Sequence, residues 1–203
     1  MGDMKMSSRN CPKLTAEMVR ELLDYDPKTG LLTWKTNRKK VRPGSVAGSV
    51  CGNGRKLYVK VRIGRLYRAH RLIWMMVTGD WPKYHIDHVD NDGTNNRWSN
   101  LRLATLNQNQ HNRELSRANL TGYKGVSRAN NLSKPYRANI TIGRERRHLG
   151  YYRSAEEAAR AYDESARELF GEYARLNFPH ENELAARKLL PGCAIEVVKT
   201  EAA

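Results

Sequence analysis

The chain is poor in cysteine, in phenylalanine and in acid relative to base, and it has no long apolar run. Its three cysteines, Cys11, Cys51 and Cys193, stand far apart, so no Cys-x-x-Cys pair exists to hold a structural zinc and no disulfide framework is suggested. Apolar stretches fall short of the roughly 18 residues that span a bilayer. The opening MGDMKMSSRN lacks the apolar segment of a secretory signal, and Met6 stands where a myristoylation signal wants Ser or Thr. These absences lead to the expectation of a soluble, cytoplasmic chain in a reducing compartment, not a secreted one.

The acid deficit is the most informative of them. Lys and Arg number 36 against 21 Asp and Glu, a formal charge of +15 in 203 residues. Nucleic acid is the first partner to expect, because cations that neutralise phosphates release condensed counterions and attract the polyanion from a distance. The length allows one large or two small domains, each with a modest core.

Residues Ile86 to Asn112, IDHVDNDGTNNRWSNLRLATLNQNQHN, gather an acid, a histidine and many amides between two readable elements. Asn91-Asp92-Gly93 is a turn signal, since Asn and Gly accept positive φ at low cost. Asp87 and His88 therefore lie where a strand gives way to a loop. Leu101-Arg102-Leu103 alternates like a second strand, and Thr105 with Gln108 forms a capping box, so a helix carrying Asn109 starts there. A strand, a long loop, a strand and a helix would let two oxygen ligands and an imidazole converge. Few oxygen donors suit a hard divalent ion, Mg²⁺ or Mn²⁺, which keeps open positions for phosphate oxygens.

At these residues the chain resembles the HNH endonucleases, in the variant whose last motif position is Asn. The resemblance rests on the Asp87-His88 pair, the Asn-Asn-Arg-x-x-Asn-Leu block from Asn95 to Leu101, and Gln108-Asn109-Gln110. It implies a ββα-metal core over 84–113, with His88 as general base and Asp87 and Asn109 as metal ligands. Asn100 is implied as the residue that braces the loop and orients His88. His70 is implied as packing beside the site, and His85 precedes the base position.

Upstream, Thr15 caps a short helix with Met18, Val19, Leu22 and Leu23 on one side, and Leu31 to Trp34 reads as a strand. Arg38 to Arg42 is a basic cluster that would sit in solvent or track a DNA backbone. Leu57, Val59, Val61 and Ile63 alternate with Tyr58, Lys60 and Arg62, one face apolar and one basic. Gly64 turns the chain, and a two-stranded ribbon carrying Lys60, Arg62, Arg65 and Arg68 would lie along DNA. Ala69 to Thr78 is a buried helix stopped by Gly79.

Beyond Gly122 the pattern changes. Tyr136 to Ile142 alternates, Gly143 turns, and Arg146 to Gly150 returns as a partner strand. Ser154 to Glu157 is a second capping box, followed by Ala155, Ala159, Tyr162, Ala166 and Leu169 at helical spacing and a stop at Gly171. Small alanines would let that helix lie close on the sheet, leaving Arg137, Asn139, Thr141, Arg146 and His148 facing outward, where Arg suits guanine edges and Asn suits adenine. Residues 123–180 resemble the AP2 DNA-binding domain through Lys124-Gly125-Val126, Leu149-Gly150-Tyr151, the run from Ala155 to Asp163, and Leu176-Asn177-Phe178-Pro179. Lys124 and Arg128 join its expected DNA contacts.

The expected class is α+β. An N-terminal β-rich region and HNH nuclease domain cover 1–118, a linker covers 119–122, an AP2 three-stranded antiparallel sheet packed on one helix covers 123–180, and a tail covers 181–203. The two resemblances together imply a homing-type DNA endonuclease of phage or mobile-element origin, acting in the host-cell cytoplasm. Its partner would be double-stranded DNA, and a monomer with one metal site would nick. The alternatives are a non-cutting DNA-binding regulator and an RNA binder. The outward face of 137–141 lacks the stacking aromatics that an RNA binder would show.

Overall fold

The computed structural model describes residues 14–38, 41–53, 56–113, 115 and 118–179. Cys11, Cys193, Lys39 and Lys40 of the basic cluster, and the tail 181–203 lie outside the described residues. The chain forms two compact units that divide between Leu103 and Ala104.

In the first unit, Thr15 Oγ1 accepts from the Met18 amide at 3.4 Å and starts α1 (Ala16–Leu22). Leu23, expected on that helix, instead opens β1 (Leu23–Tyr25), where it pairs with Trp34 of β2 (Leu32–Trp34) and stays buried. The strand keeps the same side chain in the core while turning the chain toward a hairpin. Asp26 closes that hairpin by accepting from the Lys28 amide at 2.9 Å and from Thr29 Oγ1 at 2.7 Å. Gly30 is required twice over: its φ is 79°, and a Cβ there would stand 2.5 Å from the Arg97 nitrogen.

β3 (Ser49–Asn53), β4 (Lys56–Ile63) and β5 (Arg65–Arg68) form an antiparallel sheet in the order β3-β4-β5. The expected two-stranded ribbon thus gains a third strand on the free edge of β4. Its apolar side packs through Val59, Val61 and Ile63 on α2 (Ala69–Thr78), whose Leu72, Ile73, Met75 and Met76 are buried in the same core. Gly79, at φ 87°, ends α2 by returning its amide to the Met75 carbonyl at 2.9 Å. β6 (His85–His88) pairs with β7 (Leu101–Ala104), and a 3-10 turn at Trp98–Asn100 ends the loop between them. Asn91 takes φ 66° in that loop, as its turn signal requires.

In the second unit, α3 (Leu106–His111) opens with the expected capping box: Thr105 Oγ1 accepts from the Gln108 amide at 3.3 Å, and Gln108 Oε1 from the Thr105 amide at 2.8 Å. β8 (Val126–Arg128), β9 (Tyr136–Ile142) and β10 (Glu145–Tyr152) form an antiparallel sheet in the order β10-β9-β8, with α4 (Ala155–Phe170) packed across it. The core is small: Val126, Ala138 and Ile140 meet Ala158, Ala159, Tyr162 and Ala166. Leu169, expected in that stripe, is exposed, and Asp163 is buried in its place. Asp163 accepts from the Asn177 amide at 2.8 Å and the Phe178 amide at 2.7 Å, tying the chain after α4 back onto the helix. Gly125 leaves room for the Tyr162 ring, which a Cβ would meet at 2.0 Å.

Candidate active site

β6 carries Asp87 and His88 to the edge of the loop, where they are 4% and 5% exposed. The loop is built on its own polar side chains. Asn100 Nδ2 donates to Asp90 Oδ1 at 2.9 Å and to the Asn95 carbonyl at 2.8 Å, and its Oδ1 accepts from the Asp90 amide at 3.1 Å. Asn95 Nδ2 donates to Asp90 Oδ2 at 2.6 Å, and Asp92 Oδ1 accepts from the Thr94 amide at 2.9 Å. The β1–β2 hairpin pins the loop from outside, through Tyr25 Oη on the Asn96 carbonyl at 2.8 Å and Arg97 Nε on the Lys28 carbonyl at 2.9 Å.

This scaffold fixes the imidazole. His88 Nε2 lies 3.2 Å from Asn96 Oδ1, while Asn96 Nδ2 donates to the Thr94 carbonyl at 3.2 Å. The second bond sets which way the amide points, so Oδ1 accepts, Nε2 carries the proton and the lone pair sits on Nδ1. Burial lowers the His88 pKa, opposed by the Asn96 hydrogen bond and by Asp90, Asp87 and Asp92. His88 is therefore neutral near neutral pH, as a proton acceptor must be. Asn100 braces the loop, and the amide on Nε2 comes from Asn96.

Two rings line His88. His70, in the first turn of α2, stands edge-on to it with centroids 5.0 Å apart, and Tyr58 of β4 lies 6.1 Å away. Burial first, then His88, Arg68 and Arg71, lower the His70 pKa to about 3. Its Nδ1 is buried without a hydrogen-bond partner. Gly93 lets the loop approach Tyr58, since a Cβ there would meet that ring at 2.6 Å. Asp87 is held from β7: Arg102 Nε and Nη2 donate to its Oδ2 at 3.0 and 2.8 Å.

Strand pairing sorts the basic residues of the first unit. Lys60 pairs with Arg68 and Arg62 with Leu66, so Lys60, Arg62 and Arg68 share the face of Tyr58, and Arg68 lies 4.6 Å over the Tyr58 ring. Arg65 does not join them. It pairs with Ile63 on the opposite face and donates to Tyr67 Oη at 2.7 Å, because a strand's period of two separates Arg65 from Arg68.

In the second unit, Asn109 lies on α3. Register pairs Ser127 with Arg137, Asn139 with His148 and Thr141 with Arg146, which places these six on one sheet face. Thr141, Arg146 and His148 are exposed, but Asn139, expected to face solvent, is buried. It lines a cleft of about 270 Å³ together with Asn107, Gln110 and His111. On the same sheet face, Ser127 Oγ, Arg137 Nε and Asn139 Nδ2 are buried without hydrogen-bond partners. Lys124 Nζ donates to the His111 and Arg113 carbonyls, and Arg128 lies 5.9 Å over Tyr136.

Sequence reasoning missed Asn96, Arg102, Asp90 and Tyr58. Asn96 was visible only as one amide among several, and an Arg between two leucines in a strand reads as a solvent-facing position.

The description HNH endonuclease applies to the family whose profile matches residues 67–111, which span β5's end, α2, the β6–β7 hairpin and α3. The chain is 34% identical over 121 residues to an uncharacterized HNH endonuclease, L560, of Acanthamoeba polyphaga mimivirus, covering 59% of this chain and 61% of that protein. It is 32% identical over 109 residues to Protein 3.8 of Escherichia phage T7, covering 53% of this chain and 88% of that one. No solved structure matches. The chain carries an HNH endonuclease domain of the family matched over residues 67–111 and has viral relatives. That family points to a nuclease, and among the described residues no helix is long and apolar enough to cross a membrane.

Asp87 offers a carboxylate oxygen of the kind that a hard divalent ion takes. Among the described residues no group of three or more His, Cys, Asp or Glu side chains gathers to hold a metal ion.

Proposed function

We propose that the chain is a metal-dependent DNA endonuclease of the homing type, cutting at a site bound by an AP2-like module and nicking as a monomer. The observation that carries this reading is a buried, neutral His88 whose tautomer is set by Asn96, next to the carboxylate of Asp87. His88 Nδ1 takes a proton from water, the hydroxide attacks phosphorus in line, and the 3′ oxygen departs, leaving 5′ phosphate and 3′ hydroxyl ends. Mg²⁺ or Mn²⁺ would supply Lewis-acid stabilisation of the charge that develops. Asp87 holds that ion in this reading, and Asn109 is its second ligand on the strength of the motif alone. Asn100 acts on His88 through the loop that it braces.

Lys60, Arg62 and Arg68 share a face with Tyr58, whose ring lies tilted 6.1 Å from that of His88, so a phosphate backbone laid on them passes close to the base. In the second unit, Lys124, Arg128, Arg137, Asn139, Thr141, Arg146 and His148 are the proposed DNA contacts, and the unpartnered atoms on that face support the assignment. Holding DNA on one module raises the effective concentration of the nuclease at the chosen site.

The test is incubation of the purified chain with supercoiled plasmid and Mg²⁺ or Mn²⁺. Open circles that EDTA abolishes are the expected result. Intact plasmid, with duplex binding retained, would favour the non-cutting regulator instead.

A further inference from the structure

Arg102 has no task in the mechanism above, yet it holds the carboxylate of Asp87. Its Nε and Nη2 both donate to Asp87 Oδ2, at 3.0 and 2.8 Å, and the two side chains are buried together, the residues 8% and 4% exposed. A carboxylate this deep needs a counter-charge, because removing one member of a buried pair leaves the other uncompensated. A divalent ion on the same carboxylate would meet the same need. Guanidinium and metal would then repel each other across a few ångströms of poorly screened interior.

We propose that Arg102 is a positioning residue that serves as the counter-cation of Asp87 in the metal-free chain and competes with the divalent ion for it. Metal loading then weakens the Arg102–Asp87 bond, and the free chain binds its metal less tightly than an Asp87 without Arg102 would. The inference rests on the reading of Asp87 as a metal ligand and adds a built-in restraint on when that site loads. It is a residue role that the motif does not assign, since Arg102 lies between the motif's Asn100 and Asn109 blocks.

The experiment measures Mn²⁺ binding to the full-length chain by the electron paramagnetic resonance signal of free Mn²⁺, for wild type, Arg102→Met, Arg102→Lys and Asp87→Asn. Arg102→Met should bind Mn²⁺ at least tenfold more tightly than wild type, Arg102→Lys should fall between them, and Asp87→Asn should lose the site. Unchanged or weaker binding in Arg102→Met, with the site still lost in Asp87→Asn, overturns the role of Arg102 and leaves the metal reading standing. Full binding in Asp87→Asn overturns the metal reading itself. Should Arg102→Met fail to fold, the wild-type chain gives the answer by nuclear magnetic resonance. The Arg102 Nε–H signal, identified by its loss in Arg102→Lys, should shift and exchange faster with water as Mg²⁺ is added. A signal that stays put at saturating Mg²⁺ overturns the proposal.

Discussion

In the loop between β6 and β7, Asp90, Asp92, Asn95, Asn96 and Asn100 bond to one another or to the loop's own backbone, whereas on the sheet of the second unit Ser127 Oγ, Arg137 Nε and Asn139 Nδ2 are buried with no partner. The loop contains its own hydrogen-bond partners and holds His88 in one tautomer. The sheet face is incomplete as it stands, and a buried polar atom without a partner calls for an explanation. Asparagine serves in both places: Asn100 is a brace, and Asn139 carries a donor that a base edge would satisfy.

Acid should separate the two regions most strongly. His70 and His88 both have pKa values lowered in the folded first unit, His70 to about 3. A folded pKa below the unfolded one means that the unfolded chain takes the proton first. The stability these groups contribute is therefore complete above the unfolded value near 6.5 and is lost as pH falls below it, for His70 over the range down to about 3. The expected slope is about 1.4 kcal/mol per pH unit for each histidine within its window. All four tryptophans, Trp34, Trp74, Trp81 and Trp98, lie in the first unit, so tryptophan fluorescence during urea unfolding at stepped pH reads that unit alone. Replacing His70 with Gln should flatten the curve below pH 6; an unchanged slope would contradict the burial argument.

Asn100→Ala should come next. It removes the partner of the Asp90 amide and of the Asn95 carbonyl and one of the donors to the Asp90 carboxylate, and should cost about 1–3 kcal/mol in the same fluorescence assay. Asn139→Ala is the counterpart and should cost under about 1 kcal/mol, because it removes a donor that already lacks a partner. Its effect should appear in duplex binding by gel shift, as a loss of about 1–3 kcal/mol, roughly 5- to 150-fold. A large stability loss for Asn139→Ala with unchanged binding would erase the contrast between the two regions.

Much of the fold was legible because its signals are local. The capping box at Thr105, the N-cap at Ser154, the stop at Gly79, the turn at Gly64 and the strand alternation of 56–63 each involve neighbours within a few residues. The second half of the box expected at Ser154 does not form, because the Glu157 carboxylate accepts from the Arg153 amide at 3.2 Å. The position of Asp87 and His88 at a strand's end was legible for the same reason. What escaped depends on contacts across sequence. Arg102 reads as a surface residue until β7 pairs with β6 and sets it on Asp87, fifteen positions away. The bond of Asn96 to His88 requires the loop to fold back, where Tyr25 and Lys28 of a distant hairpin bond to Asn96 and Arg97. Asn139 alternates onto the outward face as expected, but it is buried and lines a cleft that no local pattern announces.

The central claim is that His88 moves a proton and holds nothing else, and it is tested most directly by assaying His88→Ala for plasmid cleavage and duplex binding side by side. Cleavage should fall by about 10²- to 10⁴-fold while the dissociation constant for DNA changes by less than about threefold. Cleavage at the wild-type rate, or loss of cleavage and binding together, would contradict the assignment of His88 as the base.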